Sequence, residues 1–270
     1  MPADLCNKHK LLAHLFVISL PKSLAVLSIL QPMYAFLTIV RYPKRTAWAG
    51  FLSMAYFRLP LLFNKNAAFY KLLGCGKNGT FDKVPDLQQW AILIITDKHN
   101  KNNIPSSFDY KNLYGSFIEN WWKFFGCSKW TIILEPIEGH GTWDGKEAFG
   151  ALPRTTDYDG LIAVLTRATI RISRLPRFWK HVDRVARLMS SSDGFITSFG
   201  IGEVPWIKQA TFSIWKNKES LKTFAYKMHE HTEVIRKTRQ EKWYNEDMFV
   251  RFKIIASLGS INGINPLDRK

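Results

Sequence analysis

The sequence has 270 residues, so it can form one large domain or two of ordinary size with a substantial core. Its formal charge is +16 and its pI is near 9.8, which favours anionic partners such as lipid headgroups, acidic ligand groups or nucleic acid. We expect no nucleic-acid partner, because the sequence has no run of five or more Lys/Arg, no zinc-finger spacing and no RRM signature.

The cysteine pattern indicates a reducing compartment. Cys6, Cys75 and Cys127 are odd in number and far apart, and the sequence has no CxxC motif. This pattern argues against a disulfide framework. We therefore expect a cytoplasmic protein, and the basic charge adds the expectation of a peripheral contact with a membrane surface.

Residues 1–32 differ in character from the rest of the chain. Two apolar runs at 11–20 and 24–30 are separated by Pro21, and each is shorter than the roughly 20 residues of a membrane-spanning helix. No small-x-small cleavage site follows, as a secretory signal would require. We expect this apolar extension to lie outside the fold, either because Met33 is the natural start or because the segment is a membrane-surface anchor.

After Met33 the sequence repeats itself. Matching segments stand at 35–38 and 163–166, at 74–76 and 200–202, at 89–95 and 209–215, and at 130–134 and 252–256. Each half predicts the order strand, helix, strand, strand, helix, strand, with the first helix at about 46–64 and about 175–189.

This order is the ferredoxin-like βαββαβ unit, in which helices cover one face of an antiparallel sheet. Two such units in one chain can cover each other's open faces, so we predict an α+β barrel with the helices outside. The predicted segments are a first half at 33–140, a linker at 141–159, a second half at 160–258 and a C-terminal tail at 259–270.

Features present in only one half are the better candidates for function. Cys75 corresponds to Ile201 in the other half, so a small core hydrophobe is the favoured interpretation and a thiolate ligand the alternative. The last helix of the second half, predicted at 219–242, carries histidines, whereas its first-half counterpart has none. His231 falls on the apolar face of that helix, and His229 lies about 100° away from that face.

A histidine on an apolar face is by default a hydrogen-bonded core residue. Arg236, Arg239 and Trp243 follow His231 closely, and an imidazole among apolar side chains with guanidinium groups nearby suits haem. The iron needs a neutral nitrogen and the propionates need bidentate cations. The alternative for the arginines is a solvated basic face.

Arg167 stands in the middle of a predicted strand, on the same face as Leu165 and Thr169. If that face is the barrel interior, the guanidinium needs a partner, because an unpaired buried charge is costly. A haem propionate or an acidic side chain would serve. The neighbouring strand places Gln209 and Thr211 on one face with two further residues that could line a pocket, Ser213 and Trp215.

The second half resembles the spheroidene monooxygenase family. The motifs that carry the resemblance are Leu165-Thr-Arg-Ala-Thr-Ile-Arg171, Phe199-Gly-Ile-Gly-Glu203, Gln209-Ala-Thr-Phe-Ser-Ile-Trp215, Phe224-Ala-Tyr226, His231-Thr-Glu-Val-Ile-Arg-Lys-Thr-Arg239 and Trp243-Tyr244. The resemblance is close over 161–252 and looser over 34–97, whereas 1–32 and about 99–160 match poorly.

The resemblance implies a haem-dependent oxygenase of the dimeric α+β barrel superfamily. Its relatives introduce a keto group into acyclic carotenoids with O2 and an external electron donor such as a ferredoxin. It implies haem b with His231 as the axial iron ligand, and Arg167, Arg236, Arg239 and Trp243 beside the cofactor; it assigns no catalytic residue. A homo-oligomer is an open expectation.

Two alternatives stay open. The superfamily also holds aldoxime dehydratases and chlorite dismutases, whose haem is bound by a histidine, so the protein could be a haem-dependent dehydratase or a peroxide-using enzyme. A haem-free barrel that binds an apolar ligand is the second alternative, and in it His231 is a satisfied core residue.

Overall fold

A computed structural model of the chain describes residues 33–77, 83–96, 108–230 and 243–268, with the side chains of 227–230 excepted. The apolar extension at 1–32 lies outside the described residues. So do three of the predicted site residues, which are His231, Arg236 and Arg239.

Among its described residues, which leave out 78–82 and 97–107, the first repeat contains four strands and four helices. They are β1 (Ala35–Arg41), α1 (Ala47–Tyr56), α2 (Arg58–Leu62), β2 (Ala67–Gly76), β3 (Pro85–Thr96), α3 (Tyr110–Tyr114), α4 (Ser116–Phe124) and β4 (Ser128–Gly141). A short 3-10 turn at Lys44–Thr46 precedes α1.

The second repeat contains four strands and two helices among the described residues. They are β5 (Ile162–Ile170), α5 (Leu175–Ser190), β6 (Phe195–Val204), β7 (Lys208–Trp215), α6 (Lys218–Glu230) and β8 (Tyr244–Gly259). A 3-10 turn at Ile172–Arg174 leads into α5, and Pro176 lies in its first turn, where a missing backbone N–H costs nothing.

The eight strands form a closed barrel in the order β1-β3-β2-β6-β7-β5-β8-β4. Each repeat contributes four adjacent antiparallel strands with its first and third strands at the centre, which is the ferredoxin-like arrangement. The predicted α+β barrel of two fused ferredoxin-like repeats is therefore confirmed.

The two repeats meet along two junctions of unequal length. The junction of β4 with β8 is long and runs from Trp130↔Gly259 to Gly141↔Met248. The junction of β2 with β6 has only two paired positions, Gly74↔Gly202 and Cys75↔Ile201. We call this short junction the seam.

Strand alternation fills the barrel with side chains. Residues such as Leu37, Leu93, Leu165 and Phe212 are almost fully buried in one interior cluster that contains residues of all eight strands. The residues between them point outwards, towards the helices. Helix α5 is amphipathic and buries Phe178, Trp179, Val182 and Met189 along one side, at about 1.5–3 kcal/mol each. In the described part of the chain, no helix has the length and apolar character needed to cross a bilayer.

Candidate functional site

The first repeat fills the space between its sheet and its helices with large apolar side chains. On α1, a Cβ built on Gly50 would lie only 2.3 Å from Trp90 Nε1, so helix and indole are in direct contact. At the centre of this face Thr38 is fully buried, and its hydroxyl is hydrogen-bonded by Thr131 and by Tyr114. The outward side chains of this repeat include Phe36, Val40, Tyr70, Leu72, Trp90, Ile92 and Ile94.

The second repeat carries small side chains on the same face. Thr166 corresponds to Thr38 in the duplication, yet Thr166 is exposed. The strands pair Gly200 with Thr211, Thr211 with Thr166, and Ser198 with Ser213. We call the set the small-residue face: Thr166, Ala168, Ser198, Gly200, Gly202, Thr211 and Ser213.

Two apolar clusters border the small-residue face at opposite ends. The first cluster consists of Ile162, Val164, Met189, Trp215 and Leu221, with Phe224 of α6 packed against it. The second consists of Ile170, Phe178, Trp179, Val182 and Trp243. The small-residue face is therefore a sheet surface of small side chains that lies between two apolar clusters, beneath the helix layer.

The small-residue face contains a buried hydroxyl for which the described residues provide no hydrogen-bond partner. Thr211 is 7% exposed, and its Oγ1 makes no hydrogen bond with any described residue. The neighbouring Ser213 Oγ, in contrast, accepts a hydrogen bond from Trp215 Nε1 at 3.0 Å. Leaving a buried hydroxyl unsatisfied costs about 1–3 kcal/mol, so this atom is expected to meet a ligand. Small residues, an available hydroxyl and apolar walls fit a flat macrocycle such as haem.

The predicted ligand His231 lies in a part of the sequence whose described neighbours on either side pack at the two ends of this face. Helix α6 packs on the first cluster through Phe224, whose ring lies 5.1 Å from that of Trp215. The described part of α6 ends at Glu230, and His231 is the next residue. The chain is described again at Trp243, which is 3% exposed in the second cluster. Residues 231–242, with His231, Arg236 and Arg239, lie outside the described residues, between these two points of the sequence.

A second histidine lies in this helix layer and was not predicted from the sequence. His181 of α5 stacks on Trp243, with 6.1 Å between ring centroids and 29° between the planes. Its position beside Val182 in the apolar stripe of α5 was the available signal. His181 is therefore the rival of His231 as a cofactor ligand.

Arg167 points into the barrel, away from the small-residue face, and is 1% exposed. Its guanidinium lies 2.5 Å from Glu246, 3.4 Å from Asp144 and 3.6 Å from Glu203. The sequence left either a haem propionate or an acidic side chain as the partner of Arg167, and in the structure acidic side chains pair with it. These ion pairs lie in the barrel interior, and the binding of Arg167 to a cofactor stays a prediction.

Arg167 belongs to a balanced group of six charges that we call the barrel ion cluster: Lys71, Asp144, Arg167, Glu203, Lys208 and Glu246. Burial disfavours ionisation of Asp144, but hydrogen bonds and charges from Lys208 and Lys71 outweigh it and lower its pKa to about 2. Burial is likewise outweighed at Glu246, where the Gly145 N–H, the Thr142 hydroxyl and Arg167 lower the pKa to about 2.

Cys75 is a core residue. It is 4% exposed in the barrel interior, and burial raises the pKa of its thiol to about 12. A protonated thiol inside the barrel cannot ligate a group on the outer face, so the alternative of a thiolate ligand loses its support. Among the residues that the structure describes, no group of three or more His, Cys, Asp and Glu side chains could hold a metal ion.

No protein-family model matches the chain. Among curated proteins, it is 28% identical over 241 residues to a spheroidene monooxygenase of Rhodobacter capsulatus, a match that covers 87% of this chain and 96% of that protein. The chain is similar to the spheroidene monooxygenases. It is also 29% identical over 213 residues to the spheroidene monooxygenase of Cereibacter sphaeroides, covering 78% of this chain and 63% of that relative's length. The resemblance carried by the motifs is thereby confirmed.

Solved structures with a similar fold include two aldoxime dehydratases. One, crystallised with butyraldoxime, aligns with a TM-score of 0.55 over 88% of this chain and 85% of that chain, at 7% identity. The other has a TM-score of 0.54 over 90% and 88% of the two chains, at 8% identity. At such low identity the likeness concerns the fold alone, and it agrees with the barrel of two repeats.

Proposed function

We propose that the protein is a haem-dependent monooxygenase that introduces a keto group into a carotenoid or a similar apolar polyene with O2. The similarity to spheroidene monooxygenases supports the substrate class and the reaction. The observation that carries the haem assignment is the small-residue face, where Thr211 stands at the place that Ile92 occupies beside Thr38 in the first repeat.

In this proposal the chain's own residues hold and shape the cofactor. His231 would bind the haem iron through its imidazole, and Arg236 and Arg239 would provide guanidinium groups for the propionates. Trp243 contributes to the apolar wall at one end, and Trp215 to the wall at the other. Bound haem supplies the iron at which O2 is activated.

The protein's other contributions are positioning and exclusion of water. The Thr211 hydroxyl is free to donate a hydrogen bond to a ligand on the small-residue face. The two apolar clusters keep water from the ends of this face, which strengthens electrostatic interactions there and protects reactive species. Two successive hydroxylations at one allylic carbon give a gem-diol, which loses water to a ketone; the electrons come from an external donor such as a ferredoxin.

We further propose a peripheral membrane contact through α1 and α2. Within 42–66 there is no acidic residue, whereas four basic residues are present: Lys44, Arg45, Arg58 and Lys65. On these helices Trp48, Leu59 and Leu62 are more than half exposed, and Phe63, just after α2, is 76% exposed. Exposed apolar side chains flanked by cations alone favour an anionic lipid surface, where acyclic carotenoids are dissolved.

The test of function is product formation in a bacterial host that makes acyclic carotenoids. Cells that express the full chain accumulate a keto-carotenoid, and cells that express His231→Ala do not. His229→Ala is the matched control, since it removes an imidazole two residues away and keeps the product. Absence of the ketone despite a haem-loaded protein would contradict the carotenoid reaction and favour the dehydratase or peroxide-using alternative.

A further inference from the structure

A second site lies at the seam between the two repeats, on the outer face of the barrel. It is a pocket of about 380 Å³ above the β2–β6 pairing. Its walls come from both repeats, with Phe51, Leu87 and Trp90 from the first and Trp206 from the second. We call it the seam pocket; of its lining residues, the sequence singled out Gln209 as a possible pocket residue and Cys75 as an alternative thiolate ligand.

The floor of the seam pocket is bare backbone. Gly74 and Gly202 face each other across the seam, and Gly76 and Gly200 extend the floor. A Cβ built on Gly74 would lie 3.7 Å from Trp90 Cζ3, an ordinary contact, so the space above this glycine accepts at least a methyl group. A planar ligand can lie against the backbone at Gly74, whereas the space over Gly202 is taken by the Gln209 side chain and the Lys208 carbonyl, which lie 3.0 and 2.8 Å from a built Cβ.

Trp206 is held in a strained conformation beside the pocket. Its φ is +65°, an uncommon value for a bulky residue, and its side chain is 54% exposed. Two hydrogen bonds fix it: its own Nε1 donates to the Lys83 carbonyl at 3.2 Å, and Trp179 Nε1 donates to the Trp206 carbonyl at 3.3 Å. An exposed aromatic ring that is fixed by strain and by two partners is typical of a ligand-contacting residue.

The chemistry of the lining selects the ligand class. The rings of Phe51, Trp90 and Trp206 present flat apolar surfaces around a flat floor, and charged groups such as Arg58 and Asp86 also line the pocket. Such walls suit a planar conjugated chain better than a polar metabolite. The volume is near the lower end of the ~300–1,000 Å³ typical of ligand sites, so the pocket holds one end of a long molecule.

The seam pocket is continuous with the small-residue face. Gly200 and Gly202 belong to both, and Gln209 of the pocket lining pairs with Ala168 of the face. A linear molecule seated in the pocket by one end can therefore extend along the outer face of β6 and β7. This direction leads it towards Thr211.

We propose that the seam pocket binds the end of a linear conjugated polyene and directs the rest of the molecule to the small-residue face. The direction of the substrate rests on the proposed function, whereas binding in the pocket requires no haem. Gly74 sets the depth of the pocket, and Trp206 covers the bound end. Both are positioning groups for an apolar substrate.

The experiment measures binding of trans-parinaric acid methyl ester, a linear conjugated tetraene, to the full chain by energy transfer from tryptophan. We expect saturable binding to the wild-type protein. Gly74→Val fills the floor and Trp206→Ala removes the cover, and each raises Kd about tenfold or more. Phe124→Ala is the matched control, because Phe124 is an exposed aromatic residue, at 83%, that does not line the pocket, and its Kd stays unchanged.

The same titration on haem-free His231→Ala separates this proposal from the proposed function. Unchanged binding there supports a pocket that works without haem, even if the oxygenase assignment fails. Equal Kd values for wild type, Gly74→Val and Trp206→Ala would overturn the proposal, as would an absence of binding to a haem-loaded wild-type protein. Thermal unfolding checks each variant, and Gly74→Ala replaces Gly74→Val if the latter does not fold.

Discussion

At the scale of single residues, Arg167 shows how far a sequence pattern reaches. Its place in an alternating strand predicted a buried guanidinium with an obligatory partner. The partners could not be predicted, because Asp144, Glu203 and Glu246 come from three separate segments that only barrel closure brings together. The side of the sheet could not be predicted either, so the sequence left a propionate as a possible partner.

The first prediction concerns this buried charge. Arg167→Ala removes the cation and leaves Glu246 without an ion-pair partner among the described residues, whereas Asp144 and Glu203 keep Lys71. We therefore expect the free energy of unfolding to fall by about 1.5–3 kcal/mol. Urea denaturation measures this change. Lys123→Ala, which breaks the exposed i,i+4 pair with Glu119, should cost no more than about 1 kcal/mol. Loss of haem from a still-folded Arg167→Ala protein would contradict the structural role of Arg167.

A second prediction follows from the low pKa values of Asp144 and Glu246, which are both about 2. Because these values lie below the ~4 of an unfolded chain, both carboxylates contribute stability above about pH 4 that is lost as the pH falls towards 2. We expect the melting temperature to fall steeply over this interval. Glu246→Gln should be less stable than wild type at pH 6, and the difference should shrink by pH 2; a difference that stays constant with pH would contradict the assignment.

At the scale of elements, the duplication was predictable because alternation and Gly-x-Gly spacing survive in both halves. The contrast between the two outer faces was not visible, because the sequence match sets Ile92 against Phe212, whereas the strand registers set Ile92 against Thr211. The seam pocket was not visible in the sequence, because strand register between the repeats is set by barrel closure. The positive φ of Trp206 likewise has no sequence signal.

The third prediction tests the small-residue face. Thr211→Ile combined with Thr166→Leu gives the second repeat the bulk that Ile92 gives the first. We expect haem content, measured as pyridine haemochrome per folded protein, to fall about tenfold or more, because the floor is filled. The melting temperature of the haem-free protein should not fall, because the change removes an unpartnered buried hydroxyl. Thr211→Ser keeps a small hydroxyl and should keep haem; equal loading of all three proteins would contradict the location.

At the scale of the whole molecule, charge and exposed apolar residues point to a lipid surface. The net charge of +16 belongs to the whole chain. Residues 42–66 contain no acidic residue, so α1 and α2 present only positive charge, which is complementary to an anionic bilayer. The seam pocket shares Phe51 and Arg58 with these helices, so its wall adjoins the proposed contact surface. In this arrangement an apolar substrate can pass directly from the bilayer into the seam pocket.

The fourth prediction is that the full chain sediments with anionic vesicles and far less with neutral ones, and that salt weakens this binding. A combined Trp48→Gln, Leu59→Gln and Phe63→Gln variant should lose most of the binding. Ile172→Gln is the control, since Ile172 is 74% exposed but belongs to the second repeat. Retained vesicle binding by the triple variant would contradict this surface. A dimeric wild-type protein together with a monomeric triple variant would show instead that the surface binds a second copy of the chain.

The proposed function depends on the imidazole of His231 as the ligand of the haem iron. The visible absorption spectrum of the purified full chain, expressed with a haem precursor, tests this most directly. The account predicts a Soret band that His231→Ala abolishes and that both His229→Ala and His181→Ala retain. A colourless wild-type protein after haem reconstitution, or a band that disappears with His181→Ala and persists with His231→Ala, would contradict it.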